Sequence, residues 1–114
     1  MSKDFVEIQG EVMTGMGALG TEAPDVMNAF MGLHQAATAD GALPKRVKEL
    51  MALAIAITVR CDGCIAFHVK DALEAGATRG EIVETIGVAV MMGGGPSVVY
   101  GSEALAALEQ FTAA

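Results

Sequence analysis

Apolar residues recur along this chain at the three-to-four spacing of helices, and period-two alternation is nearly absent. Ala, Leu, Met and Glu, all good helix formers, dominate over β-branched and aromatic runs. Breakers divide the chain into six predicted helices. The first, residues 4–19, is interrupted by Gly10, Gly15 and Gly17 and reads as a soft packing or oligomer arm. The second, residues 23–39, has Pro24 in its first turn, where a missing N–H is tolerated. It puts Val26, Met27, Phe30, Leu33, His34 and Ala37 on one face, and Asp40-Gly41 ends it.

The third predicted helix, residues 44–59, carries the stripe Val47, Leu50, Met51, Ala54, Ile55 and Thr58. Leu53, Ala56 and Ile57 cover much of its other side, so it is expected to be buried nearly all round. The fourth, residues 61–75, begins at the cysteines and stops at Gly76. The fifth, residues 78–93, opens with Thr78 and Glu81 at capping-box spacing. Gly93-Gly94-Gly95-Pro96 then breaks the chain before a sixth helix over residues 97–111. No internal repeat or low-complexity segment interrupts this pattern, which predicts an all-α fold with a single domain over residues 1–114.

Composition adds an expected oligomer. Hydrophobic residues make up 53% of 114 residues, and the mean hydropathy is +0.47. A domain this small has too much surface for its volume to hide so much apolar area alone. The longest apolar run, residues 50–59 with Thr58 inside it, is about half of the roughly twenty residues a spanning helix needs, so no membrane segment is expected. The start, Met1-Ser2-Lys3-Asp4-Phe5, has neither the apolar segment nor the cleavage site of a secretory signal, and a cytoplasmic location is expected. Fourteen acidic residues against seven basic ones give a net charge of −7. With no stripe of Lys and Arg to displace phosphate counterions, nucleic-acid binding is excluded. The acidity instead keeps an apolar assembly soluble.

Candidate chemistry is concentrated in Arg60-Cys61-Asp62-Gly63-Cys64-Ile65-Ala66-Phe67-His68. Cys61 and Cys64 are the two cysteines of the chain. A bridge between them closes so short a loop that it adds little stability, which points to reactivity or metal binding. At a predicted helix start, unpaired N–H groups and the helix dipole stabilise a thiolate, and the spacing lets the two sulfurs meet. His68 follows Cys64 by one turn and Cys61 by two, which places it on the same face as a proton-exchange partner. Glu49 shares its helix face with Ala52, Leu53 and Ala56. Buried there it is a candidate proton acceptor; exposed, it would be salt-bridged by Lys45, Lys48 or Arg60. Its distance from Cys61 in sequence leaves open whether it lies beside the cysteines or below them.

Weaker candidates complete the set. His34 lies on an apolar face as a core residue or a pocket wall, and Tyr100 is a candidate for closing a pocket near the glycine turn. The eight methionines read as core filler. The glycine run is not a phosphate loop, because no Gly-Lys-Ser/Thr follows it.

Glu49 followed by Cys61-x-x-Cys64-x-x-x-His68 resembles the alkylhydroperoxidase AhpD and carboxymuconolactone decarboxylase superfamily. Ala75-Gly76-Ala77-Thr78, Glu81-Ile82 and the segment ending at Pro96 fit the same pattern, and the resemblance covers roughly residues 30–100. It implies an AhpD-like all-helical fold, a homo-oligomer (often a trimer or hexamer), and a proton relay of Glu49, Cys61, Cys64 and His68. Some hydroperoxidases of this group carry a further histidine between the cysteines, where this chain has Gly63. The lactone decarboxylases generally lack the cysteine pair, so decarboxylation is not assigned.

The leading expectation is a thiol-dependent peroxidase or disulfide oxidoreductase, with no cofactor and no resident metal. It would act on a peroxide and be re-reduced by an external dithiol, for which the resemblance points to a lipoyl or thioredoxin-like donor. Two other readings stand beside it. One is a zinc-binding module formed by Glu49, Cys61, Cys64 and His68. The other is a non-catalytic, redox-sensing oligomer.

Overall fold

The computed structural model describes residues 2–113. Six helices follow one another: α1 (Phe5–Glu22), α2 (Pro24–Thr38), α3 (Lys45–Thr58), α4 (Asp62–Glu74), α5 (Arg79–Gly93) and α6 (Gly95–Thr112). Their starts follow from local chemistry. Asp4 accepts a hydrogen bond from the Glu7 N–H at the head of α1. Thr78 and Glu81 form the reciprocal capping box of α5 that their spacing predicts. Gly94, at φ 68°, makes the reversal into α6. The neighbouring Gly93 is packed tightly: a Cβ there would lie 2.9 Å from Cβ of the buried Ser97.

Helices α3 to α6 enclose the core, where Leu53 and Ile57 meet Ile65, Val69, Ile82 and Leu108. Phe5 enters the same core from α1. Its N–H donates to Oε1 of Gln110, whose Nε2 donates to the Lys3 carbonyl, so the start of the chain is tied to α6. These paired hydrogen bonds leave no cost for the backbone groups they bury.

Three expectations are corrected here. Helix α1 is not broken at Gly10, Gly15 and Gly17; it runs on to Glu22, packed against α2, α4 and α6. Helix α3 is buried on one side only. Its core face is Glu49, Leu53, Ala56 and Ile57, while Met51 and Ile55 of the predicted stripe are exposed. Both sides are apolar, so composition could not say which one the core takes. The methionines are not core filler: Met13, Met31, Met51, Met91 and Met92 are exposed, and no described methionine is fully buried. Helix α2 has no buried residue, and Val26, Phe30 and Leu33 of its predicted apolar face lie open. Among the described residues no helix is long and apolar enough to cross a membrane.

Candidate active site

The turn between α3 and α4 sets the position of the cysteines. Helix α3 ends in a Schellman motif: Arg60 N–H donates to the Ile57 carbonyl and Cys61 N–H to the Ala56 carbonyl. Arg60 takes φ 59°, the left-handed conformation usually given to glycine. At the end of α4 the same pair of bonds forms around Gly76, at φ 94°, where the usual residue is present. A non-glycine residue held in this conformation beside reactive side chains is the kind of local strain that functional sites carry.

Cys61 closes α3 and is at the same time the N-cap of α4, its Sγ accepting a hydrogen bond from the Cys64 N–H at 3.2 Å. The sulfurs of Cys61 and Cys64 are joined in a disulfide, and the two Cα atoms are 5.2 Å apart. The bridge therefore sits among the free N–H groups of a helix start, where a thiolate released on reduction is stabilised.

His68 lies one turn above Cys64 on the same helix. Its Nδ1 is 2.9 Å from Oε2 of Glu49 across the α3–α4 contact. Glu49 is 0% exposed. Glu49 thus meets His68, one turn along α4 from Cys64, and is shut away from solvent. Its partner is the histidine rather than Lys45, Lys48 or Arg60, and Lys48 instead donates to the Ala39 carbonyl.

In front of the disulfide is a cavity of about 630 Å³. Val12, Met13 and Met16 of α1 and Phe30 of α2 form its apolar wall, and Cys61, Cys64 and His68 lie on the opposite side. His34 also lines it, as one of its two expected placements held. Tyr100 does not; it packs against the core with Lys3 Nζ 5.6 Å from its ring centre. Gly63 faces α1 so closely that a Cβ there would meet Val12 Cγ2 at 3.2 Å. Any side chain at this position would need Val12 to give way by a few tenths of an ångström.

Sequence reasoning passed over Asp71. It comes one turn after His68 on α4, and that register was the available signal. In the structure Asp71 lines the cavity and stands close to Glu49 and His34. Its carboxyl is pushed above the usual carboxylate range, first by burial and then by the charge of Glu49. A carboxyl raised in the folded state opposes folding once ionised. That penalty is absent below the unfolded-state value near about 4 and grows as pH rises through the raised value. Asp71→Asn is therefore expected to raise the thermal unfolding midpoint at neutral pH, with chelator present, and to change it little near about pH 4. A midpoint that is unaltered at neutral pH would show that Asp71 carries no such penalty.

Six helices with a Cys-x-x-Cys pair heading the fourth make this an AhpD-like protein in fold. A model of the carboxymuconolactone decarboxylase family matches residues 24–109, and the chain belongs to that family. An uncharacterised protein of Cupriavidus necator is 42% identical over 113 residues, covering 99% of this chain and 100% of the relative. An uncharacterised protein of the cox locus of Paracoccus denitrificans is 38% identical over 87% of this chain and 89% of its own length.

The crystal structure of the apo form of a Legionella pneumophila protein of the family superposes with a TM-score of 0.93 at 47% identity, over 96% of this chain and 97% of that one. A family member from Thermotoga maritima, for which a part in the antioxidative response has been suggested, gives 0.78 at 30% identity, over 95% and 89% of the two chains.

Proposed function

We propose that this protein is a thiol-dependent peroxidase that reduces organic hydroperoxides and is recycled by an external dithiol. The observation that carries the reading is the Cys61–Cys64 disulfide at the edge of an apolar cavity, with His68 beside it and hydrogen-bonded to the buried Glu49. The apolar wall suits the carbon chain of an alkyl hydroperoxide.

In the reduced protein the Cys64 thiolate attacks the terminal peroxide oxygen. The O–O bond breaks, the alkoxide takes a proton and leaves as the alcohol, and Cys64 becomes a sulfenic acid. The Cys61 sulfur then attacks the Cys64 sulfur, forming the disulfide and releasing the hydroxyl as water. A dithiol donor of lipoyl or thioredoxin type returns two electrons and two protons, and is itself oxidised to a disulfide. Glu49 and His68 move the protons. With Nδ1 engaged by the carboxylate, Nε2 is the imidazole nitrogen left to exchange them.

Open apolar side chains on α2, α3 and α5, including Phe30, Ile55 and Met91, support a homo-oligomer as the working form. The deciding experiment is steady-state turnover of an alkyl hydroperoxide, with dihydrolipoamide or thioredoxin and its reductase as donor. Repeated turnover supports the enzyme; a single oxidation that no donor reverses would mark a redox sensor instead.

A further inference from the structure

A second group of ligating side chains lies beyond the disulfide, on three different helices. His34 of α2, Glu49 of α3 and Asp71 of α4 each bring one ligand atom to within 4.8 Å of the other two. Glu49 is fully buried; its Oε2 is engaged by His68, and among the described residues its Oε1 has no hydrogen-bond partner. A buried carboxylate oxygen without a donor is costly unless a cation or a proton completes it. Asp71 adds a second, half-buried carboxylate close to the first, and the charge of Glu49 disfavours that of Asp71. A smaller cavity of about 220 Å³, bordered by His34, Lys45, Asp71 and Glu74, gives a path to the cluster from solvent.

We propose that His34, Glu49 and Asp71 form a binding site for a divalent transition-metal ion of the zinc type. One imidazole and two carboxylates are a permitted donor set, and they leave a fourth position for solvent. The two carboxylate charges match the charge of the ion, which removes their mutual repulsion and completes Glu49 Oε1. Ligand atoms around such an ion lie roughly 3–4 Å apart, so the cluster closes by small side-chain rotations. The ion also anchors α2, which has no buried residue of its own to hold it against α3 and α4. This set contains no cysteine and is distinct from a site built on Glu49, Cys61, Cys64 and His68. It is compatible with the oxidised state, in which the sulfurs are bonded to each other.

The test is titration of the chelator-treated, disulfide-form protein with Co²⁺, read by its visible absorption, followed by displacement with Zn²⁺. The expected result is one ion per chain, with d–d bands and no thiolate-to-cobalt charge-transfer band. Affinity should fall by at least about tenfold in His34→Ala and in Asp71→Asn, and persist in the Cys61→Ser/Cys64→Ser double variant. Zn²⁺ should raise the unfolding midpoint of the parent protein and not that of His34→Ala. The proposal is overturned if excess Co²⁺ gives no spectrum, if binding survives both substitutions, or if binding requires the cysteines. Peroxide turnover is not part of this readout, so the result stands apart from the fate of the peroxidase reading.

Discussion

Cys64→Ser is expected to lower hydroperoxide turnover by about a thousandfold or more, because the hydroxyl that replaces the thiolate is not a nucleophile toward peroxide at neutral pH. Cys61→Ser should behave differently. Its Cys64 thiolate still attacks, but no second sulfur condenses with the product. One equivalent of peroxide is then consumed in a burst, and Cys64 accumulates as a sulfenic acid that a dione reagent traps and mass spectrometry locates. Multiple turnover should be lost in both variants, and only Cys61→Ser should show the burst.

The geometry behind this assignment is the N-cap arrangement. Cys61 Sγ already accepts the Cys64 N–H, so it sits over the helix end and is placed to condense with a sulfur in the first turn. The opposite pattern, a burst in Cys64→Ser with the adduct on Cys61, would reverse the roles while leaving the reaction unchanged. Full turnover in either single variant would remove the pair from the mechanism.

Glu49→Gln carries the second large effect. Glutamine keeps the shape of the buried side chain but cannot hold the negative charge that faces His68 at 2.9 Å. Without that carboxylate partner His68 gives less support to a thiolate formed beside it. The rate of alkylation of the reactive thiol should shift to higher pH, and turnover should fall by about a hundredfold. His68→Ala should move the alkylation profile in the same direction. Because these groups interact, the profiles describe the coupled set rather than any one residue. Glu109→Gln, on the exposed face of α6, is the control and should leave both readouts in place. If Glu49→Gln reacts at the parent rate across the pH range, Glu49 is structural, and the helix start with His68 activates the thiol without it.

The sequence by itself determined the local features of this protein. The capping box at Thr78 and Glu81, the stop at Gly76 and the proline at the head of α2 are interactions between residues a few positions apart, so they were legible in one dimension. The same holds for the redox motif: Cys61 at a helix start, Cys64 in the first turn and His68 one turn further on need only the helix period to be brought together. The family resemblance rested on these residues and was confirmed across most of the chain.

Only the tertiary structure decided what crosses between helices. Helix α3 is apolar on two sides, and packing against α4 and α5 chose the side that carries Glu49. That choice made His68 the partner of Glu49 in place of three nearby basic residues. It also drew in Asp71 and His34, which no spacing rule connects to Glu49 because they lie on other helices. The cavity wall was equally out of reach: the first helix, with Gly10, Gly15 and Gly17 along it, reads from sequence as a soft packing or oligomer arm, yet α1 covers Gly63 and closes the front of the disulfide. Periodicity reports which residues share a face. Which face is covered, and by what, depends on contacts between residues far apart in the chain, and those are set by the packing of the whole fold.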